Sequence, residues 1–163
     1  MRMLKKFLIA ERPTIRDNDI ILKTIGRTEA LPEDVQKELF ISMEESKDNT
    51  GMILCLALNY GGRTEIVDAA KGLARDVKKG VVKLKDIDDD AFKGYMYTSG
   101  MTDPDLLIRT GGEMRVSNFL LWEVSYAELW FTSVYWPEFR KKHLEEALGD
   151  YAKRERRYGG LIE

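Results

Sequence analysis

Apolar and polar residues alternate along the chain in blocks whose period switches between strand and helix. Asp19-Ile-Ile-Leu-Lys-Thr-Ile-Gly26 reads as a strand closed by a glycine. After the turn Asp48-Asn49-Thr50-Gly51, Met52–Leu58 is wholly apolar, the pattern of a parallel strand covered on both faces. Asp105–Arg109 and Leu129–Thr132 are two further short strands. Helices fill the intervals. Pro32-Glu33-Asp34-Val35 opens one with proline and acids in its first turn, running to about Lys47. Thr64–Lys79 places Ile66, Ala69, Ala70, Leu73 and Val77 on one face. A short acid-capped helix is expected around Asp88–Tyr97, and a bulkier one over Asn118–Glu128 with Phe119, Leu120, Trp122 and Val124. Pro137 starts the last helix, to about Arg157, and the segment before Asp17 is weakly helical, ending near Pro13. The alternation predicts an α/β fold, a mainly parallel sheet with helices on both faces, formed as one domain over residues 1–163.

Composition narrows this without redirecting it. At 44% hydrophobic and 33% charged, with a formal net charge of -2, the chain has no overall basic field to favour nucleic acid. Cys55, the one cysteine, lies in an apolar run and is expected to be a small buried hydrophobe; it excludes an intrachain disulfide and favours a reducing compartment. Met1–Ala10 is too short and too interrupted by Lys5 and Lys6 for a signal peptide or membrane span, so a cytoplasmic location is expected, with peripheral membrane contact open if the product is a lipid. Lys153-Arg154-Glu155-Arg156-Arg157 is a local basic cluster, suited to the negative end of a helix dipole.

Two glycine-bearing loops follow predicted strands, where open parallel sheets bind ligands. Asn59-Tyr60-Gly61-Gly62-Arg63 could present backbone N–H groups at a helix N-terminus, or it could be turn geometry alone. Arg109-Thr-Gly-Gly-Glu-Met-Arg115-Val-Ser117-Asn118 offers two guanidiniums, two hydroxyls and a glycine pair. Such a set suits a diphosphate better than a single carboxylate, the alternative being structural ion pairs of Glu113 with either arginine. His143 lies on a polar helical stretch, Asp88-Asp89-Asp90 reads as a helix cap rather than a metal site, and no Walker or Gly-x-Ser-x-Gly sequence is present.

The stretch Asp105-Leu-Leu-Ile-Arg109-Thr-Gly-Gly-Glu-Met-Arg115-Val-Ser117-Asn118-Phe119-Leu-Leu-Trp122 resembles the signature of cis-prenyltransferases, the makers of undecaprenyl diphosphate and related polyprenyl diphosphates. The resemblance continues through Tyr126-Ala127-Glu128-Leu129, Phe131-Thr132 and Trp136-Pro137-Glu138-Phe139, and is supported by Ile25-Gly26, Asn59–Arg63 and Arg154–Gly160. It implies condensation of isopentenyl diphosphate with an allylic diphosphate, with Mg²⁺. By resemblance Arg109, Arg115 and Ser117 hold the isopentenyl diphosphate headgroup, with Gly111, Gly112, Asn59 and Arg63 as contributors. Glu128 matches a carboxylate linked to Mg²⁺, and Arg157 and Gly159 match a tail that reaches a partner's active site, so a homodimer or heteromer is expected. Trp122, Trp130 and Trp136 are expected in core and dimer packing. The family's Asp-Gly-Asn-Gly-Arg loop for the allylic diphosphate has no counterpart in the 163 residues. The resemblance therefore implies the C-terminal two-thirds of the family domain, no catalytic residue of its own, and negligible turnover by this chain alone. A non-catalytic partner subunit of a heteromeric cis-prenyltransferase is the second reading.

Overall fold

A computed structural model describes residues 1–155, in two compact units, one over Met1–Ser99 and one from Gly100 onward. In the first unit the order is α1 (Arg2–Asp17), β1 (Ile21–Ile25), α2 (Glu33–Ser46), β2 (Ile53–Ala57), α3 (Gly62–Lys78) and α4 (Asp89–Lys93). β1 and β2 pair in parallel, Ile21 opposite Ile53 through Ile25 opposite Ala57. Leu8 and Ile15 of α1, Leu22 of β1, Leu31, and Val35 and Leu39 of α2 form the core of this unit.

That core explains why α1 does not end near Pro13 but runs on to Asp17. An internal proline forfeits one helical hydrogen bond and costs about 3 kcal/mol. Stopping there would withdraw Ile15 from the core and strand Arg12, whose guanidinium donates to Glu38 at 2.7 Å and Ser42 at 3.2 Å on α2. Packing across α1 and α2 outweighs the local penalty.

β2 departs from its expected burial. Ile53 is 47% exposed and Leu54 38%, and Cys55 is only partly buried, burial pushing its thiol pKa up. The strand is parallel as its apolar run implies, but it is not covered on both faces.

The second unit holds β3 (Leu106–Arg109) and β4 (Glu128–Phe131), paired in parallel with Leu106 opposite Glu128 and Arg109 opposite Phe131, followed by α5 (Lys141–Tyr151). Trp130 is buried, and its indole N–H donates to Asp150 of α5 at 3.1 Å, holding that carboxyl below the usual range. Between the strands the expected helix over 118–128 is absent. Ser117, Asn118 and Leu120 adopt φ of 47°, 62° and 45°, which a right-handed helix cannot use, and a single 3₁₀ turn, Glu123–Tyr126, is all that forms. The last helix likewise starts later than Pro137. Trp136–Glu138 is one 3₁₀ turn, Arg140 is extended, and its backbone N–H is capped by Nδ1 of His143 at 3.0 Å. His143 is thus a capping residue whose ring lies 5.5 Å from Phe139.

Candidate functional site

The second loop owes its shape to Arg109. As the last residue of β3, it sends its guanidinium back across the following segment, where it donates to the Arg115 carbonyl and, at 2.8 Å, to the Ser117 hydroxyl. These contacts hold Ser117 and Asn118 in the left-handed region, which costs a side-chain-bearing residue about 1–2 kcal/mol. Gly111 and Gly112 also have positive φ, and their N–H groups donate to Val134 at 2.9 Å and Thr132 at 2.8 Å. The glycine amides are therefore spent inside the protein; they shape the loop.

Arg115 approaches the same hydroxyl from the other side, its Nε 3.2 Å from Ser117 Oγ. Glu113 lies between the two guanidiniums and pairs with both. The arginines are not equivalent. The Arg109 side chain is 21% exposed and the Arg115 side chain 63%. Arg109 is committed to the loop's own contacts, and Arg115 is the guanidinium presented to solvent. Both line a cavity of about 260 Å³ with Ser117, Leu107, Ile108, Val116 and Phe119, so cationic donors sit at one side of an apolar pocket. That lining matches a short hydrocarbon with a multiply charged phosphate head.

The first loop is built differently. Asn59 has φ 48°; its amide donates to the Arg27 carbonyl at 3.0 Å and its own carbonyl accepts from the Arg27 N–H at 3.3 Å. The Arg27 guanidinium forks onto Asp68 of α3 at 2.8 and 2.9 Å. Beside Arg27 foremost, then Tyr97, the Asp68 carboxyl is held at about 2. The Tyr97 hydroxyl, raised above its ordinary value by burial and this carboxylate, donates to Asp68. The Tyr97 N–H donates at 2.8 Å to Glu65, which is wholly buried and also accepts from the Tyr60 hydroxyl. The ring of bonds closes on Asn59 through the Tyr60 backbone. Arg63 stands exposed on the first turn of α3. Arg27, Glu65, Asp68 and Tyr97 escaped sequence reasoning; the available signal was two acids three apart at a helix start, an anion-favouring end.

Comparison with known proteins places both loops within one family. The undecaprenyl diphosphate synthase family model of prenyltransferases matches residues 1–159, and so includes both. The chain belongs to that family. It is 45% identical to an isoprenyl transferase of Clostridium perfringens over 161 residues, which is 99% of this chain and 64% of the relative. An isoprenyl transferase of Geobacter sulfurreducens is 49% identical over 159 residues, 98% of this chain and 65% of the relative. The chain thus spans just under two-thirds of the length of these curated relatives. Among solved structures, lavandulyl diphosphate synthase from Lavandula x intermedia, in complex with dimethylallyl diphosphate, superposes with a TM-score of 0.95 at 36% identity. The match covers 98% of this chain and 70% of that one. A probable undecaprenyl diphosphate synthase from Campylobacter jejuni gives 0.83 at 28% identity, covering 98% and 72%. The α/β fold with parallel strands is therefore that of the cis-prenyltransferases.

Within this family frame, Glu128 opens β4 and is paired with Arg154 at 2.6 Å, which also donates to the Leu129 carbonyl at 3.1 Å. Among the described residues no group of three His, Cys, Asp or Glu could hold a metal ion, so Glu128 is no part of a protein-only cage. Asp88 accepts from the Ala91 N–H at 2.8 Å, the cap expected of it. Arg157 and Gly159 lie outside the described residues.

Proposed function

We propose that this chain supplies the isopentenyl diphosphate side of a cis-prenyltransferase, which condenses that substrate with an allylic prenyl diphosphate to extend a polyprenyl diphosphate. The observation that carries this reading is the convergence of Arg109, Arg115 and Ser117 at the end of β3 beside an apolar cavity. In it, Arg115 and the Ser117 hydroxyl take the diphosphate oxygens, Arg109 keeps them in register, and Leu107, Val116 and Phe119 face the isopentenyl carbons. Charge-assisted hydrogen bonds of this kind contribute about 1.5–3 kcal/mol each.

Mg²⁺ enters the proposal with its substrates. Its usual environment is one or two carboxylates with phosphate oxygens and water. Glu128 is the carboxylate that would join them once released by Arg154, and the ion would neutralise phosphate charge. The allylic diphosphate calls on the Asp-Gly-Asn-Gly-Arg loop, which the 163 residues do not contain, so binding without appreciable elongation is the behaviour proposed for this chain by itself. Assembly as a homodimer, or with a chain carrying that loop, belongs to the same proposal. Its support is the exposure of Tyr126, Tyr135 and Trp136, the last stacked on Phe139 at 5.8 Å. No described helix is long and apolar enough to cross a membrane.

Titration calorimetry with isopentenyl diphosphate tests the central claim. The expected result is saturable binding that Arg115→Ala weakens without unfolding the chain; no binding by the unaltered protein would overturn it. Incubation with isopentenyl diphosphate, farnesyl diphosphate and Mg²⁺ tests the second part, where robust elongation by the chain alone would be the contrary result. Sedimentation velocity reads the assembly state.

A further inference from the structure

The C-terminal end of α3 carries a feature that the diphosphate site does not use. The helix closes on Gly80, at φ +74°, with the Gly80 N–H donating to Val77 and the Val81 N–H donating to Asp76 at 2.9 Å. In a helix ending of this type the residue after the glycine ordinarily packs back on the last turn. Val81 does not: it is 70% exposed, and Leu84, three residues on, is 76% exposed. Two large aliphatic side chains stand out at one loop tip.

Cations surround them. Arg75, Lys78, Lys79, Lys83 and Lys85 fall within eleven residues that contain one acid, Asp76, in a chain whose net charge is -2. Asp76 is engaged by the Tyr95 hydroxyl at 2.9 Å. Among the described residues no ion pair engages Lys78, Lys79, Lys83 or Lys85. Behind the tip lies an apolar cavity of about 380 Å³ whose walls include Ala70, Leu73, Ala74, Val77, Ile87 and Phe92, with Leu84 and Lys78 also on its lining. Asp86, Asp88, Asp89 and Asp90 follow the loop and are exposed, and Asp88 caps α4 by accepting from the Ala91 N–H.

We infer that the loop 79–85 is a docking surface for a bilayer rich in anionic phospholipid. Val81 and Leu84 enter the boundary between headgroups and acyl chains, and the lysines on either side meet the lipid phosphates. Exposed aliphatics flanked by several lysines are the ordinary means by which a non-spanning protein holds such a surface. The charge complementarity selects a membrane over a second copy of this chain, because facing copies of this loop would bring like charges together. The inference does not depend on the diphosphate site.

The test is flotation of the whole chain with vesicles of phosphatidylcholine alone, and of phosphatidylcholine mixed with phosphatidylglycerol. Binding to the mixed vesicles only, weakened by salt, is expected. Lys83→Gln with Lys85→Gln lowers it by about 30-fold, since each cation near an anionic surface contributes roughly fivefold. Val81→Ser with Leu84→Ser lowers it independently. All four side chains are exposed, so the far-ultraviolet circular dichroism and melting midpoint of both variants stay as in the parent. Failure to bind the mixed vesicles overturns the inference. So does binding that both variants leave unchanged, or loss of self-association in the serine variant without any vesicle binding by the parent.

Discussion

The loops after β2 and β3 share a strand end and a pair of glycines, yet they differ in what their polar groups face. In Asn59–Arg63 the polar side chains around the turn are bonded to one another. Arg27, Asp68, Tyr97, Glu65 and Tyr60 form a circuit that closes through Asn59, with Glu65 fully buried. In Arg109–Asn118 one arginine is committed to the fold and the other is presented to solvent beside a cavity. The lesson is that a Gly-Gly turn with an adjacent arginine is not a binding motif in itself. Function follows from which donors remain available once the backbone has taken its share.

The largest effect that separates the loops is expected at their glycines. Gly26 packs under the first loop, where an added Cβ would lie 2.2 Å from the Leu58 carbonyl oxygen, at φ +101°. Gly26→Ala combines that clash with left-handed strain and should cost about 4 kcal/mol, read from chemical denaturation. Glu65→Ala comes next. It leaves the Tyr60 hydroxyl and Tyr97 N–H without their acceptor, for about 3 kcal/mol. Arg115→Ala should do the reverse, changing stability by less than about 0.5 kcal/mol while weakening isopentenyl diphosphate binding by about 10- to 100-fold. If it unfolds the chain instead, the division of labour between the arginines is wrong.

Acid titration sharpens the same contrast. Asp68 is held at about 2, chiefly by Arg27, below the ordinary carboxylate value. A folded-state value below the unfolded one means stabilisation present above the unfolded value and lost as pH falls through the folded one. The first loop should therefore loosen as pH falls from about 4 to about 2, and Asp68→Asn should flatten that limb, as followed by tyrosine absorbance. Among the glycines the smaller effect is expected for Gly111→Ala. Its added Cβ would come no nearer than 4.0 Å to Tyr135, so only the φ of +89° matters, and about 1 kcal/mol of stability is lost.

The sequence exposed the α/β alternation because strand and helix periods are local, and the four strands among the described residues fall where their apolar runs are. Arg109, Arg115 and Ser117 were legible for a related reason: two arginines and a hydroxyl within ten residues need little tertiary information to be brought together. What stayed hidden depends on distant partners. Helix α1 passes Pro13 because Arg12 and Ile15 are held by α2, residues more than twenty positions away. The Asn118–Glu128 stretch has helix-like bulk, but the Arg109 clasp holds its start left-handed. Glu65 reads as an ordinary first-turn acid until the Tyr97 segment folds over it.

Glu113 gives the second loop one more property. Because its carboxylate already bridges the two guanidiniums, an anion arriving there does not fill an empty field; it replaces an internal counter-ion. Binding becomes an exchange, and a singly charged anion gains little by it, whereas a diphosphate brings more charge and more oxygens than the carboxylate it displaces. The resting loop is thereby spared most adventitious ions. The affinity it does show should depend less on ionic strength than two exposed arginines alone would suggest, since fewer dissolved ions are released when the ligand arrives.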